Sequence, residues 1–429
     1  MRSPFEQGVS FKLMLLGCVG AASLVAAGAK AQEVAAPAES PRDLAGTAGP
    51  AEETGPPPAA PEPVVTPPPS SMVPPPVPVV APIMAPEAGL KKEPVPIKTV
   101  FGLRASGRIQ GASDPKKMND FSLDTLYLEA RFSGTLNRYF GWQANFNGNA
   151  KPAAGSGPAS IMDMILKIDA DDAFHVWAGR LLVPSDRSNF SGPFFMSPWN
   201  YPGVYSLGGP VTFIGPKTGA NGRDDGVVVW GQFVGGKAKY FLGAFNLDNV
   251  VQSPLYSGRI NIALLGDEPG FWGSSTYYGD KDIVAIGGGY QYQKNGSGNI
   301  DKLTLNGDQN LNVVMGDLLA EKNLPGAGTF SLEGTYYHFD KGNPYAKQAF
   351  YVLASFLTAD YLGVGKLQPL VRWQQTSPQS GGTKMTMLDA FVTYVIQSYD
   401  LKLTAGYQRT DMGNSAVGNA IQIGFQIQE

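Results

Sequence analysis

The sequence is poor in the residues that most catalytic and metal sites use. It has one cysteine, Cys18, and two histidines, His175 and His338. Cys18 lies in an N-terminal stretch that is predicted to be removed, so the mature chain would have no thiol for disulfide or redox chemistry. Neither histidine has a nucleophile motif such as G-x-S-x-G beside it, and both are expected at the rim of the fold. We therefore expect no metal, no cofactor and no enzymatic activity.

Charge and long apolar runs are scarce as well. Charged residues are 16% of the chain and the formal net charge is −3, and no basic patch suggests nucleic acid as a partner. After residue 31 no apolar run reaches the roughly 18 residues of a transmembrane helix, which excludes helical membrane spans. The chain is instead rich in aromatic residues, at 11%, and in glycine, with 53 residues. This composition favours a β-barrel that faces lipid.

The first 97 residues are predicted to lie outside the folded domain. Residues 1–31 have the pattern of a secretory signal peptide: a basic start, a short apolar core over residues 13–27, and Ala29 and Ala31 at a small-residue cleavage site. Residues 32–97 are rich in proline and alanine and cannot bury a core, which predicts a disordered linker. The linker is either an unconstrained spacer or a periplasmic tether that contacts peptidoglycan.

From residue 98 onward the sequence changes to a period of two. In the final segment Ile421, Ile423 and Phe425 alternate with polar residues, and about fifteen earlier segments have the same pattern. Residues 98–429 are therefore predicted to form an all-β, transmembrane antiparallel β-barrel of about sixteen strands, wide enough for a water-filled lumen. A soluble sandwich would also alternate, but its polar face would usually carry more Lys and Glu.

Two connections stand out from the short turns. Residues 183–225 form a stretch of roughly forty residues with no helical period, and an insertion of this length is usually functional. We expect it to be the third external loop, folded into the lumen; a surface loop, or two loops around a strand at 203–214, are the alternatives. Residues 266–282 should be a short turn at the periplasmic end. They are either a genuine excursion or the sign of a missed hairpin.

Several strand and turn patterns resemble the porin O and P family, the phosphate-selective porins. They lie at residues 178–189, 317–322, 326–340, 365–373 and 405–409. The resemblance spans roughly residues 98–429 and implies a sixteen-stranded outer-membrane porin, often a homotrimer, whose third loop narrows the pore. The resemblance does not imply that phosphate is the solute, because the arginines and lysines responsible for phosphate selectivity cannot be mapped onto this sequence.

Basic side chains are expected to set the field of the lumen. Alternation, or position beside the long loop, selects Arg104, Arg108, Arg131, Lys167, Arg180, Arg187, Arg259, Arg372 and Lys402. The inward acids from the same alternation are Glu129, Asp163, Asp169, Glu333 and Asp389. A slight positive excess predicts a mild anion preference, unless the charges pair across strands. Arg187 is either a residue of the narrowest point or the partner of Asp186 or Asp224.

Together these features predict an outer-membrane porin that lets small anions or polar solutes diffuse passively. Outer-membrane lipid would surround the barrel, and the N-terminal segment would lie in the periplasm. The alternatives are a closed structural or adhesive barrel and a lipase-type enzymatic barrel. The solute and the pore diameter do not follow from the sequence.

Overall fold

The computed structural model describes the barrel region and not the N-terminal part of the chain. The described residues are 97–112, 120–149, 159–206, 216–219, 221–246, 253–296, 309–340, 346–379, 384–411, 413 and 417–429. The predicted signal peptide, 1–31, and all but the last residue of the predicted linker, 32–97, lie outside them. Among the described residues, no helix is both long enough and apolar enough to cross a membrane.

Sixteen strands of 8 to 16 residues form one closed sheet. In chain order they are β1 Lys98–Ala112, β2 Asp120–Thr135, β3 Phe140–Asn149, β4 Ala159–Asp171, β5 Phe174–Leu182, β6 Arg223–Phe233, β7 Ala238–Phe245, β8 Leu255–Leu265, β9 Ile283–Gln293, β10 Leu311–Leu324, β11 Gly328–Phe339, β12 Ala346–Thr358, β13 Lys366–Pro378, β14 Met385–Gln397, β15 Leu401–Asp411 and β16 Val417–Gln428. Each strand pairs antiparallel with the next, and β16 pairs antiparallel with β1. The predicted all-β antiparallel barrel is confirmed.

The two faces of the wall follow directly from the period of two. On β16 the apolar Ile423 is 65% exposed, whereas the polar Gln426, three residues on, is fully buried. Apolar side chains outside and polar side chains inside are the reverse of a soluble protein. The arrangement is the one expected of a wall with lipid on its outer side and a polar lumen.

The connections differ between the two ends of the barrel. Residues 97 and 429 lie at one end, which we call the terminal rim, and the opposite end is the loop rim. Connections at the terminal rim are mostly short, such as residues 172–173 and 325–327. Residues 266–282 are the long exception, yet β8 pairs directly with β9, from Leu255 opposite Gln293 to Leu265 opposite Val284. The connection is therefore genuine and hides no hairpin, and we call it the inserted turn.

The long loop differs from the prediction in two respects. Because β6 begins at Arg223, the loop covers residues 183–222 rather than 183–225. It contains a helix, α1 Arg187–Phe195, and a short second helix, α2 Gly203–Ser206. Part of the stretch is thus helical although its sequence has no helical period, and the candidate strand at 203–214 begins with α2. Residues 207–215 lie outside the described residues.

Helix α1 cannot be recognised from the sequence because nearly all of its residues are buried. Asp186 caps the helix by accepting a hydrogen bond from the backbone N–H of Ser188 at 3.3 Å. Gly192, at φ +63°, kinks it before Pro193. Most residues of α1 are buried, so polar and apolar side chains do not segregate to two faces. An amphipathic stripe, the usual signal of a surface helix, is therefore missing.

Candidate functional site

The long loop runs through the lumen from one wall to the opposite wall. At the start of α1, Arg187 lies beside β8 and β10, where its guanidinium reaches the side chains of Asn261 and Asp317. At the end of α1, the Phe194 ring covers Gly102 of β1, and a Cβ on that glycine would lie 2.6 Å from the ring. In the closed strand order β8 and β1 are nearly opposite. Helix α1 therefore crosses the lumen.

Basic side chains of the wall fasten the rest of the loop through its backbone carbonyl groups. The bonds run from Lys402 Nζ to Met196 O at 3.0 Å, from Arg104 Nη2 to Trp199 O at 3.0 Å, and from Arg372 Nη1 to Asn200 O at 2.8 Å. An irregular segment in a lumen has no ladder to satisfy its carbonyl groups, so the wall must supply donors. Three of the predicted selectivity residues thus hold the loop in place.

The inserted turn also enters the lumen, from the terminal rim. On one side Phe271 stacks on Trp177 of β5 with ring centroids 4.6 Å apart. On the other side Glu321 of β10 accepts hydrogen bonds from the backbone N–H groups of Tyr277 at 3.1 Å and Gly279 at 2.9 Å. Ser275, between these anchors, donates to Glu333 of β11. The turn therefore bridges two separate parts of the wall.

The two inserted segments meet inside the barrel. The backbone N–H of Ser275 donates to Phe195 O at 3.2 Å, and that of Gly273 donates to Phe190 O at 3.4 Å. The strongest contact is a two-point ion pair between Arg187 of α1 and Glu268 of the inserted turn, at 2.7 and 2.8 Å. We call this pair the latch. It ties a segment that enters from the loop rim to one that enters from the terminal rim.

The latch and a neighbouring ion pair form a group of four buried charges that compensate one another. Arg259 of β8 pairs with Asp317 of β10 at 2.8 Å, and Arg187 Nε lies 3.7 Å from the same carboxylate. Burial by itself would raise the pKa of Glu268, but the charge and the hydrogen bonds of Arg187 outweigh it and hold that pKa well below its usual range. The Glu268 carboxylate therefore stays charged inside the barrel.

The partners of Arg187 differ from those that the sequence suggested. Neither Asp186 nor Asp224 makes its ion pair, which goes to Glu268 and Asp317. Asp186 instead caps α1 and accepts a hydrogen bond from the Tyr337 hydroxyl at 2.6 Å. Sequence reasoning missed Glu268 because it lies in a connection that was expected to stay outside the lumen.

One side of the lumen is apolar, which alternation did not predict. Trp177 and Trp230 of β5 and β6 point inward with Phe241 of β7, and Phe190 and Phe271 of the inserted segments pack on them. Centroid distances of 4.6 to 6.1 Å join these rings into one cluster. An apolar inward face is possible here because the inserted segments, and not water, cover it.

Two predicted residues line the lumen near the terminal rim. Arg131 pairs with Glu129 at 2.7 Å, and its side chain is 23% exposed. Lys167 donates to Gln143 at 2.8 Å and lies 4.1 Å from the centroid of the Trp177 ring. Both side chains are only half-buried, unlike Arg259, Arg372 and Lys402.

Arg180 lies on the outer face, which corrects its predicted place in the lumen. It pairs at 3.6 Å with Asp225, whose side chain is 72% exposed. Its cross-strand neighbour Met164 belongs to the lipid-facing row of β4, and directly opposed residues share a face. For Arg108, only the backbone is described, opposite Gln422; its side chain lies outside the described residues.

Three further charged residues face the lumen but were not predicted to do so from the sequence. Asp317 and Glu321 of β10 face the lumen among apolar neighbours, and Arg223, expected in the loop, is the first residue of β6 and pairs with Asp163 at 3.2 Å. A period of two on β10 would have placed the two acids on one face. These acids offset the positive excess counted from the sequence. Within the described ranges, no group of three His, Cys, Asp or Glu side chains is placed to hold a metal ion.

Comparisons with known proteins identify the fold. The sequence matches no protein-family model and no curated protein. Solved structures with a similar fold include Pseudomonas putida OprB, with a TM-score of 0.53 and 8% identity over 78% of this chain and 94% of that one. A loop L8 deletion mutant of OmpT, an outer membrane protein of Vibrio cholerae, has a TM-score of 0.50 and 15% identity over 78% and 99% of the two chains.

An anion-selective porin from Comamonas acidovorans is similar to the same degree. Its TM-score is 0.50 with 11% identity, over 78% of this chain and 100% of that one. At such low identity the likeness concerns the fold. The chain therefore has the β-barrel fold of outer-membrane porins, while the resemblance to the phosphate-selective family stays a prediction.

Proposed function

We propose that the protein is an outer-membrane porin through which small hydrophilic solutes diffuse passively. One observation carries this proposal: a closed barrel with an apolar outer surface encloses a polar lumen that receives a long loop from one rim. Short turns at the terminal rim and longer connections at the loop rim are typical of barrels whose short turns face the periplasm. The described chain begins at the terminal rim, which supports a periplasmic N-terminal segment. We propose no enzymatic activity.

The bore is proposed to be narrow. Helix α1 crosses the lumen, and the inserted turn meets it from the other end. At mid-height, inward side chains such as Arg104, Asn145 and Arg372 are at most 5% exposed. A low single-channel conductance is expected from such a packed middle layer.

A mild anion preference is the second part of the proposal. Arg131 and Lys167 are the half-buried cations near the terminal rim, while Glu129, the partner of Arg131, is buried. Asp169, close to Lys167, opposes them, so the proposed preference is weak. In a lumen with low-dielectric walls a small excess of one sign biases ion passage.

Single-channel recording in planar bilayers, with the reversal potential under a KCl gradient, tests both parts. We expect small discrete steps and a reversal potential on the anion side. Arg131→Gln combined with Lys167→Gln should move the reversal potential toward the cation side, whereas Arg180→Gln, on the outer face, should leave it unchanged.

The outcomes separate the alternatives. Steps without an anion bias would retain the porin and remove the preference. An absence of steps from folded, heat-modifiable protein would contradict the porin and favour a closed barrel. Assembly as a homotrimer rests on the sequence resemblance, and the mass of the detergent-solubilised protein measures it directly. Contact of the N-terminal segment with peptidoglycan stays a prediction.

A further inference from the structure

We infer that the inserted turn closes the part of the lumen in front of β5–β14, so that solutes at the terminal rim pass along the inner face of β2–β4. The inference rests on the proposed function, because it assigns the route and the solute class of the same pore. It gives residues 266–282 a role equal to that of the long loop in setting the bore.

The contacts of the inserted turn show which part of the lumen it fills. Close to β7, Lys239 donates to the carbonyl groups of Gly270 at 3.1 Å and Trp272 at 3.3 Å. Across the barrel, Tyr278 packs in one cluster with Leu357 of β12 and Val395 of β14. A single connection thus reaches from the β5–β7 wall to the β12–β14 wall.

Inward side chains between the inserted turn and the wall are shielded from solvent, whereas those at the same height on β2–β4 are partly exposed. On β10 to β12, the inward side chains about three residues from the terminal rim are at most 3% exposed; they are Glu321, Ser331 and Ser355. At the same height on β2–β4, Arg131, Gln143 and Lys167 are half-buried. The space next to the terminal rim therefore lies along β2–β4.

Deeper along β3, two buried acceptors lack partners. Asn145 Oδ1 and Asn147 Oδ1 are buried and accept no hydrogen bond. Leaving a buried acceptor unpaired is unfavourable, and the usual explanation is a water or ligand at the site. Other unpartnered buried atoms lie elsewhere in the barrel, such as Trp230 Nε1, which aromatic rings enclose, and Gln426 Oε1 on β16.

We call the inner face of β2–β4 around these residues the polar strip, and its chemistry indicates the solute class. Its charges are largely compensated locally, Glu129 by Arg131 and Asp163 by Arg223. Lys167 is opposed by the nearby Asp169. The two asparagine oxygens add neutral acceptors in the same alternating row. A compensated strip with spare acceptors suits small uncharged solutes that donate hydrogen bonds, such as polyols.

Cysteine accessibility tests the route. The chain has one cysteine, Cys18, in the predicted signal peptide, so single cysteines can be introduced without competing thiols. Gln143→Cys and Lys167→Cys place a thiol on the polar strip, while Ser331→Cys and Ser355→Cys place one behind the inserted turn. Each protein, produced without residues 1–31, is recorded in planar bilayers while a negatively charged methanethiosulfonate reagent is added on both sides.

We expect a stepwise loss of current for the two thiols on the strip and no change for the two behind the turn. Reaction of the latter thiols after denaturation confirms that they are present. Equal or greater loss at Ser331→Cys, or no reaction at Gln143→Cys in conducting channels, would overturn the route while the porin stands. If the unsubstituted protein forms no channels, the proposed function fails and the route fails with it.

Liposome swelling tests the solute class. Asn147→Leu removes an unpartnered acceptor from the strip, and Ser355→Ala removes a hydroxyl behind the turn as the matched control. Swelling with uncharged polyols should slow in the first variant and not in the second, with both proteins heat-modifiable. Equal rates for Asn147→Leu and the unsubstituted protein would exclude the strip as the site of polyol passage.

Discussion

Basic side chains in this lumen act first as anchors for the chain that fills it. Arg104, Arg372 and Lys402 each donate to a backbone carbonyl of the long loop. Arg187 and Arg259 pair with buried carboxylates. Because these donors satisfy groups that would otherwise be buried without partners, replacing them should loosen the loop before it changes ion preference.

At the residue scale the sharpest prediction concerns the latch. Glu268→Gln removes the charge that Arg187 faces and leaves a buried guanidinium without its main partner. We expect a higher single-channel conductance, as the two inserted segments separate. The free energy of unfolding should fall by about 3–5 kcal/mol, as when a buried ion pair is broken. Bilayer recording and urea unfolding in detergent measure the two effects.

Asp282→Asn is the matched control for Glu268→Gln. Asp282 belongs to the same connection, but it lies half-buried at the rim, where it is bonded to Lys322, whose side chain is 60% exposed. Exposed pairs contribute little to stability, so conductance and unfolding should both stay close to those of the unsubstituted protein. An equal rise in conductance in the two variants would mean that the latch does not hold the segments together.

The latch should also resist acid. Arg187 holds the pKa of Glu268 below its ordinary value of 4.5, so the carboxylate contributes stability that is fully present above that value. This stability is lost only as the pH falls through the lower pKa of the folded state. Conductance should therefore stay constant from about pH 7 to about pH 5. A steep rise in conductance within this window, in recordings at constant salt, would contradict the assignment.

At the scale of elements, the inserted turn is not needed to build the wall. β8 and β9 pair along their length, and the turn makes its contacts inside the lumen. Replacing residues 267–281 with Asn-Gly, which favours a tight hairpin, should leave a closed, heat-modifiable barrel. Conductance should rise several-fold, because the sealed wall of β10–β12 becomes part of the lumen.

A second shortened connection makes this prediction specific. Residues 359–365 also lie at the terminal rim, but Tyr361, Leu362 and Val364 in them are exposed. Replacing residues 360–364 with Asn-Gly should leave conductance unchanged. A similar rise in both proteins would show that shortening any rim connection widens the pore, and would remove the special role of the inserted turn.

At the scale of the whole molecule, the outer surface should behave as a lipid-facing band. Val352 lies outward at the middle of β12, and Val364 lies exposed in a turn at the terminal rim. A lysine at the bilayer midplane costs about 2–4 kcal/mol, and one near the interface costs about 0–1 kcal/mol. Urea unfolding in lipid vesicles should therefore show a large loss for Val352→Lys and little loss for Val364→Lys. Equal losses would place the membrane elsewhere on the barrel.

The sequence by itself determined the wall. A side-chain period of two is a local property of extended chain, so the strands and their faces can be predicted residue by residue, as for the inward Arg372 and Asp389 and the outward Ile423. Closure of β16 on β1 then follows, because two free edges of a lipid-facing sheet would leave backbone groups unpaired. Alternation failed where a strand is irregular, as at Gly179, whose φ of +124° precedes the outward Arg180. It also failed where the inserted segments cover an apolar inward face, as at Trp177.

Only the tertiary structure decided what fills the barrel. The latch joins residues 81 positions apart, and no local pattern links Arg187 to Glu268. Helix α1 is enclosed on nearly every side, so its sequence has no amphipathic period. The sequence of the inserted turn resembles that of an ordinary polar and aromatic connection. Whether such a segment stays outside or folds into the lumen depends on contacts with distant strands. Those contacts join residues that lie far apart in the sequence, which is why the bore could not be predicted from local patterns.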